Sequence, residues 1–376
     1  MQAAPSHKHH LGRCGRAKRP IAVAAGERYH AIAVRLSRAS GARVPDGRPL
    51  GLRRLKIVPW ASYVFSSNRF AELMSREVLC VGEILWDALP DGLFLGGAPF
   101  NVACHLHALG TDVAFASRVG DDTLGEEALR RLRARGLGAD LMQVDDSLPT
   151  GFVRVALDAP GEPEYEIVEP AAWDAIPLTD ALHQHAKRAA ALVYGSLAQR
   201  AAPSRQTIQE LIQSDALCVF DVNLRPPFVD RTVVEHSLRA ADVVKCNVDE
   251  LKRLRSWFGL SGELAAAQGD LAATFGCEVV CVTGGAEGAW LWRRGTQWHH
   301  PGYEVEVADT VGAGDAFLAA LLSGLLDGRD GEALLTIANR LGAYVASRDG
   351  AFPAYSVDAR SGISDLPLPP RSGASA

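Results

Sequence analysis

The feature that most constrains this chain is an alternation. Short apolar runs of strand length recur at 78–82 (Val-Leu-Cys-Val-Gly), 113–116, 191–195, 217–222, 242–246 and 278–283. Stretches with helical spacing separate them, among them 99–110, ending at Gly110, and 126–135, ending at Gly136. A continuous apolar run reads as a strand buried on both faces, and strands joined through helices run parallel. The expected fold is α/β, a mainly parallel sheet covered by helices on both faces. One stretch breaks the rhythm. Phe152–Leu157 and Glu164–Val168 are extended runs around Asp158-Ala-Pro-Gly161, the signature of a β-hairpin. With the glycine-rich residues 92–98, this hairpin is expected to form a small sheet standing off the body as a lid.

Charge divides the chain. Residues 1–77 hold 15 Lys/Arg and four acids (Glu27, Asp46, Glu72, Glu77), whereas the remainder holds 24 basic and 40 acidic residues. Residue 77 is therefore the expected boundary. An Arg-rich, acid-poor segment suits a transit peptide or a nucleic-acid-binding arm. The favoured reading is a mis-assigned start, with Met74, one of three methionines and four residues before the first strand, as the natural initiator. The segment is expected to be poorly ordered, its His7–His10 cluster a solvated tail, and the Pro- and Ser-rich residues from Pro367 onward loose. The acidic main body argues against a nucleic-acid partner. No run of eighteen apolar residues exists, which argues against a membrane-spanning helix. Seven cysteines without paired CxxC spacing argue against a disulfide scaffold or structural zinc and favour the cytoplasm.

The strongest chemical signal is Asp309-Thr-Val-Gly-Ala-Gly-Asp-Ala-Phe317, followed by an apolar helix from Leu318 to about Leu326. Glycines that run into a helix N-terminus bring free N–H groups and the positive dipole end together, which makes an anion site. Asp315 is out of place beside an anion unless it has a task, such as taking a proton from an attacking hydroxyl. The plain alternative is that it caps the helix. A second signal is Leu95-Gly-Gly-Ala-Pro-Phe-Asn-Val-Ala103, where Gly96 and Gly97 let a polyhydroxylated ligand approach the backbone and Asn101 can donate and accept. An ordinary turn and cap is the alternative here too. Upstream, Trp86 and Asp87 place an aromatic face beside an acid able to accept from vicinal hydroxyls, the alternative being a surface-loop Asp. No GxxxxGK[ST] occurs, so a P-loop is excluded, and no GxGxxG follows the first strand, against a dinucleotide site.

Together, GGAPFNVA and DTVGAGDAF resemble the two signatures of the ribokinase/PfkB family of carbohydrate kinases. Gly82–Pro90, Gly195–Arg200 and Asp221-Val-Asn-Leu-Arg225 resemble its bacterial fructokinase-like members. The resemblance spans 78–358. It implies a ribokinase-like three-layer αβα domain with a β lid at roughly 91–98 and 150–170, and a tail at 359–376. It implies ATP-dependent phosphorylation of a sugar primary hydroxyl, most of all of fructose. Position by position, Asp315 resembles the catalytic base and Gly312, Ala313 and Gly314 the anion hole. Asp87, Gly96, Gly97, Asn101, Arg225 and Tyr165 resemble sugar contacts, with Trp86 as a pocket wall. Lys245, Asn247 and Glu250 fall on the NxxE element, with Glu250 holding Mg2+ through water. Thr283, Gly285, Gly288 and Asn339 fall on the nucleotide site. Asp309, Val311, Val345, Arg348 and Gly350 match positions around a monovalent cation, K+ in the family. Ala354 stands where some members have a hydroxyl. Pairing of lids implies a homodimer.

Other readings stay open: a kinase for 2-keto-3-deoxygluconate, ribose or inositol, or a non-catalytic sugar-binding regulator. His105, His107, His183 and His185 read as surface helix residues, His299-His300 as a strand edge, Trp290 and Trp292 as packing, and Cys104 and Cys246 as small buried groups.

Overall fold

The computed structural model describes residues 77–89, 92–156, 164–355 and 362–369. The basic segment 1–76 with Met74 and His7–His10, the hairpin turn at 157–163 and most of the tail lie outside the described residues. Thirteen strands and nine α-helices are described. In chain order they are β1 Val78–Val81, β2 Leu85–Leu89, β3 Gly92–Gly96, α1 Ala98–Ala108, β4 Val113–Gly120, α2 Thr123–Ala134, β5 Met142–Asp145, β6 Gly151–Ala156 and β7 Glu164–Ile167. Then come α3 Asp180–Arg188, β8 Ala191–Gly195, α4 Ala202–Leu211, β9 Leu217–Asp221, α5 Arg231–Ala240, β10 Val243–Asn247, α6 Val248–Phe258, α7 Leu264–Phe275, β11 Val279–Thr283, β12 Ala289–Arg293, β13 Thr296–His300, α8 Ala313–Leu326 and α9 Gly331–Ala346.

The main sheet has the order β13-β12-β11-β10-β9-β8-β1-β4-β5. From β11 through β5 neighbours run parallel, and only the β12–β13 end is antiparallel. Side chains alternate across the sheet, so each strand feeds two cores. Val78, Cys80, Val193 and Val219 face α1, α2, α8 and α9, whereas Leu79, Val81, Tyr194 and Phe220 face α3 to α7. This is the expected three-layer α/β body. Chain order reverses around β1, between β4 on one side and β8 on the other, and ligands of open α/β sheets bind outside the carboxyl ends of strands at such a switch point.

The small sheet is also present, with the order β3-β2-β6-β7, and β6 and β7 form the expected antiparallel hairpin. It holds one more strand than the sequence suggested. Trp86 and Asp87 lie in β2, between β3 and β6, rather than in a loop. Alternation sends their side chains to opposite faces. Trp86 is buried, donates from Nε1 to Leu124 O at 3.0 Å and stacks under the Arg131 guanidinium, so it is a packing residue and not a pocket wall. The six described cysteines are free and buried. No helix among the described residues is long and apolar enough to cross a membrane.

Candidate active site

The site residues come off the carboxyl ends of adjacent parallel strands. Gly195, Asp221 and Lys245 stand side by side across β8, β9 and β10, and Glu83 follows the end of β1. Helix α8 starts five residues earlier than the apolar pattern indicated, at Ala313, because Gly312 takes the N-cap with φ +76. Asp315 thus stands in the first turn and makes no capping bond; its side chain accepts from Asn101 Nδ2 at 2.8 Å. Gly314 and Asp315 lie where helix N–H groups have no intrahelical acceptor. The first intrahelical bond runs from Ala316 N to Gly312 O, at 2.9 Å. Under this turn lies Lys245. Its Nζ is 3.1 Å from both carboxylate oxygens of Asp221, and a side chain at Gly314 would run into the ammonium.

Electrostatics follow from this crowding. Burial pushes Asp315 up to about 6, and the Asp221 charge adds to it against Lys245, the Asn101 hydrogen bond and Arg225. Burial also raises Asp87 to about 6, opposed by Arg225. For Lys245, burial acts downward, but the carboxylates of Asp221, Glu250 and Asp315 outweigh it and hold the ammonium charged. Arg225 is exposed, and its charge reaches Glu83, Asp87 and Asp315 together. A Cβ at Gly96 would meet the Asp87 carboxylate at 2.7 Å, and one at Gly97, with φ +116, would strike the Glu83 backbone carbonyl, so Gly97 leaves no room for a side chain. Tyr165 lies in β7 opposite Val155. Its side chain is outside the described part of the structure.

Asn247 and Glu250 form the capping box of α6. Asn247 Oδ1 accepts from Glu250 N, and Glu250 Oε2 accepts from Asn247 N, each at 2.8 Å. Glu250 Oε1 accepts from Leu224 N at 2.8 Å and so also braces the loop that carries Arg225. Among the described residues no cluster of three or more His, Cys, Asp or Glu could cage a metal. A carboxylate already holding two backbone donors suits Mg2+ that keeps its water shell. Asp309 accepts from Val311 N at 2.9 Å and Gly350 N at 3.2 Å, which brings those three positions together, while the Val345 carbonyl accepts from Arg348 N at 3.0 Å. Thr283 ends β11, and Gly285 and Gly288 make the turn into β12 with positive φ. Asn339 is buried on α9, which packs on β12 and β13, and its amide donates to Leu335 O at 2.8 Å.

Of the residues around this site, one went unassigned in the sequence and one was misread. Glu83 is 2% exposed, and its Oε1 accepts from Ala98 N at the start of α1 at 3.3 Å. The available signal was an acid placed directly after an apolar strand. His105 is the clear correction: it is fully buried on α1 rather than at the surface, because its ring finds two hydrogen-bond partners inside.

Comparison with known proteins places the chain in a family. Residues 91–356 match the model of the pfkB family carbohydrate kinases. A fructokinase of Escherichia coli is 32% identical over 303 residues, covering 75% of this chain and 96% of that protein. The structure of Xylella fastidiosa fructokinase with bound ATP superposes with a TM-score of 0.65 at 26% identity, covering 74% of this chain and 94% of that one. That of Vibrio cholerae fructokinase in a form with fructose, ADP and calcium bound gives 0.62 at 26% identity over 80% and 97%. The fold is ribokinase-like, and the chain belongs to the pfkB family as a sugar kinase, a phosphotransferase whose acceptor is an alcohol group.

Proposed function

We propose that this protein transfers the γ-phosphoryl group of ATP to a primary hydroxyl of fructose, with Asp315 as the base. The observation that carries the reading is the meeting of Asn101 and Asp315 at the N-terminus of α8, above the buried Lys245. Asn101 occupies Asp315 Oδ2 and leaves Oδ1 to take the proton of the sugar hydroxyl. The freed oxygen attacks the γ-phosphorus, the bond to the β–γ bridging oxygen breaks, and ADP leaves. The N–H groups of the 312–314 turn and the Lys245 ammonium face the charge that develops on the transferring group. Mg2+ would be held through water by Glu250 and would neutralise phosphate charge. Asp87, Gly96, Gly97 and Arg225 hold the sugar, and the Thr283–Gly288 turn with Asn339 holds the nucleotide. Asp309 and the carbonyls of Val311, Val345, Arg348 and Gly350 are the proposed K+ position.

Residues 78–358 form the kinase unit in this reading, with the small sheet as a lid that excludes water when sugar binds. Leu93 and Phe94, 44% and 40% exposed on edge strand β3, support pairing of two lids in a homodimer. Fructose is favoured by the fructokinases among the relatives and by the fructokinase-like Gly82–Pro90 and Asp221–Arg225 motifs. The test is ADP release from Mg-ATP with fructose, ribose, 2-keto-3-deoxygluconate, inositol and a blank. Saturable turnover with fructose alone is expected. Turnover with a different sugar discards the substrate and keeps the chemistry.

A further inference from the structure

Helix α1 carries a second polar side chain that packing alone does not explain. His105 lies one turn beyond Asn101 and is fully buried. Its Nε2 is 3.0 Å from the Ala351 carbonyl oxygen, and its Nδ1 is 2.7 Å from the Tyr355 hydroxyl. A carbonyl can only accept, so Nε2 carries the proton and Nδ1 accepts from the hydroxyl. The ring stacks on Tyr355 at 5.8 Å between centroids and leans on Phe352 at 4.9 Å. Burial pushes its pKa down to about 4, so the neutral ring that this pair of partners requires is the one present near neutrality. An apolar residue would fill this volume without the desolvation cost of an imidazole, so the two bonds require a reason of their own.

The reason lies at the other end of Ala351. Gly312 has φ +76, and a Cβ there would come within 2.6 Å of Ala351 Cα and 2.7 Å of its Cβ and O. Asp309 Oδ2 accepts from Gly350 N at 3.2 Å, which ties the same segment to the start of the glycine turn. Ala351 is thus the wall behind Gly312, held between Gly350 on one side and the 352–355 segment that carries Tyr355 on the other. His105 anchors that wall to the helix that also carries Asn101.

We infer that His105 is a positioning residue for phosphoryl transfer: by holding Ala351 and Tyr355 it fixes the wall behind Gly312, and so sets the 312–314 turn against the Asn101–Asp315 pair. The inference rests on the reading of that turn as the anion hole. A side chain that only fills space acts on stability; one that sets the anion hole acts on kcat and leaves both KM values nearly unchanged.

The test compares His105→Asn, His105→Gln and Tyr355→Phe in the full chain, with Mg-ATP and the panel sugar that wild type turns over fastest, fructose being tried first. The Gln amide nitrogen reaches the place of Nε2 and can keep the Ala351 bond, whereas Asn reaches only the place of Nδ1. His105→Asn is expected to lower kcat at least about tenfold, with KM for sugar and ATP within about threefold. His105→Gln should recover most of the loss, and Tyr355→Phe should slow kcat about threefold or more. Wild-type kcat in His105→Asn, or His105→Gln as slow as His105→Asn, overturns the inference. If His105→Asn does not fold, Tyr355→Phe with wild-type kcat overturns it instead. Asp315→Asn is the control. If it keeps more than roughly a tenth of wild-type kcat, the proposed function with Asp315 as base falls, whatever His105→Asn does. If it is dead while His105→Asn is fast, only the positioning role falls.

Discussion

Asn101 and Asp315 lie 214 positions apart in sequence and meet at 2.8 Å, the amide of one donating to the carboxylate of the other. The contact joins the two glycine motifs, each at the start of its own helix, into a single site. It also favours the charged form of Asp315, which burial disfavours. Replacing Asp315 with Asn keeps the shape and removes the base. Turnover should fall by at least about 100-fold with the melting temperature nearly unchanged.

The pH profile should carry the same signature. A base acts only when deprotonated, and Asp315 is held at about 6. Plotted against pH, kcat/KM should therefore rise through about 6 and level off above it. Asp87 is also held at about 6, so the limb reports the group of carboxylates rather than one residue. Asn101→Ala removes a donor to the charged form. The Asp315 pKa then rises, and the limb should move to higher pH. An unmoved limb in that variant would remove Asp315 from the profile.

Much of this was legible in the sequence. The alternation of apolar runs predicted the sheet and its two helical layers because burial on both faces leaves a local trace in every strand. The glycine turns were legible because positive φ restricts residue choice at Gly97 and Gly312. What escaped notice depends on partners far along the chain. Trp86 looked like a pocket wall because adjacent residues suggest a shared surface, yet membership in β2 turns it away from Asp87. His105 looked exposed because histidine in a helix usually is, and its partners arrive some 250 residues later. Asn247 and Glu250 illustrate the reverse: their Asn-x-x-Glu spacing is a local cap signature as well as a resemblance to a ligand motif, and the cap is what their hydrogen bonds form.

The N-cap of α8 has its own test. Gly312→Ala places a Cβ in a left-handed conformation, which costs about 1–2 kcal/mol, and drives it against Ala351 backbone. Chemical denaturation should show a loss of at least that size, together with reduced kcat as the turn shifts. Gly285→Ala makes the comparison: it also has positive φ, at +58, but nothing crowds its Cβ, so it should lose only the conformational part.

The Lys245–Asp221 pair is buried beneath the turn, so its two charges have little solvent to fall back on. Lys245→Met leaves Asp221 buried beside Glu250 and Asp315 with its cation gone. Breaking a buried pair from one side typically costs about 3–5 kcal/mol, and urea unfolding should show a loss of this order. Adding Asp221→Asn should restore part of the stability, because the stranded charge is then removed. The double variant should stay slow, since no ammonium faces the phosphoryl group. A fast double variant would assign Lys245 a purely structural task.

Glu83 offers a measurement that needs no substrate. Burial raises its carboxyl from 4.5 to about 7, with Asp315 adding to this, while backbone hydrogen bonds and Arg225 act the other way. A carboxyl whose folded pKa lies above its unfolded value binds its proton more tightly when folded. Its contribution to stability is complete below about 4.5 and is lost as pH climbs through about 7. The loss is on the order of 3 kcal/mol at one unit per 1.36 kcal/mol. Glu83→Gln keeps an acceptor for Ala98 N and cannot ionise. Relative to wild type, the variant should therefore gain stability between pH 5 and pH 8 and change little above. Groups elsewhere titrate in both proteins and cancel in the difference. A difference that stays flat across that range would mean that Glu83 ionises in the folded protein as readily as in the unfolded chain.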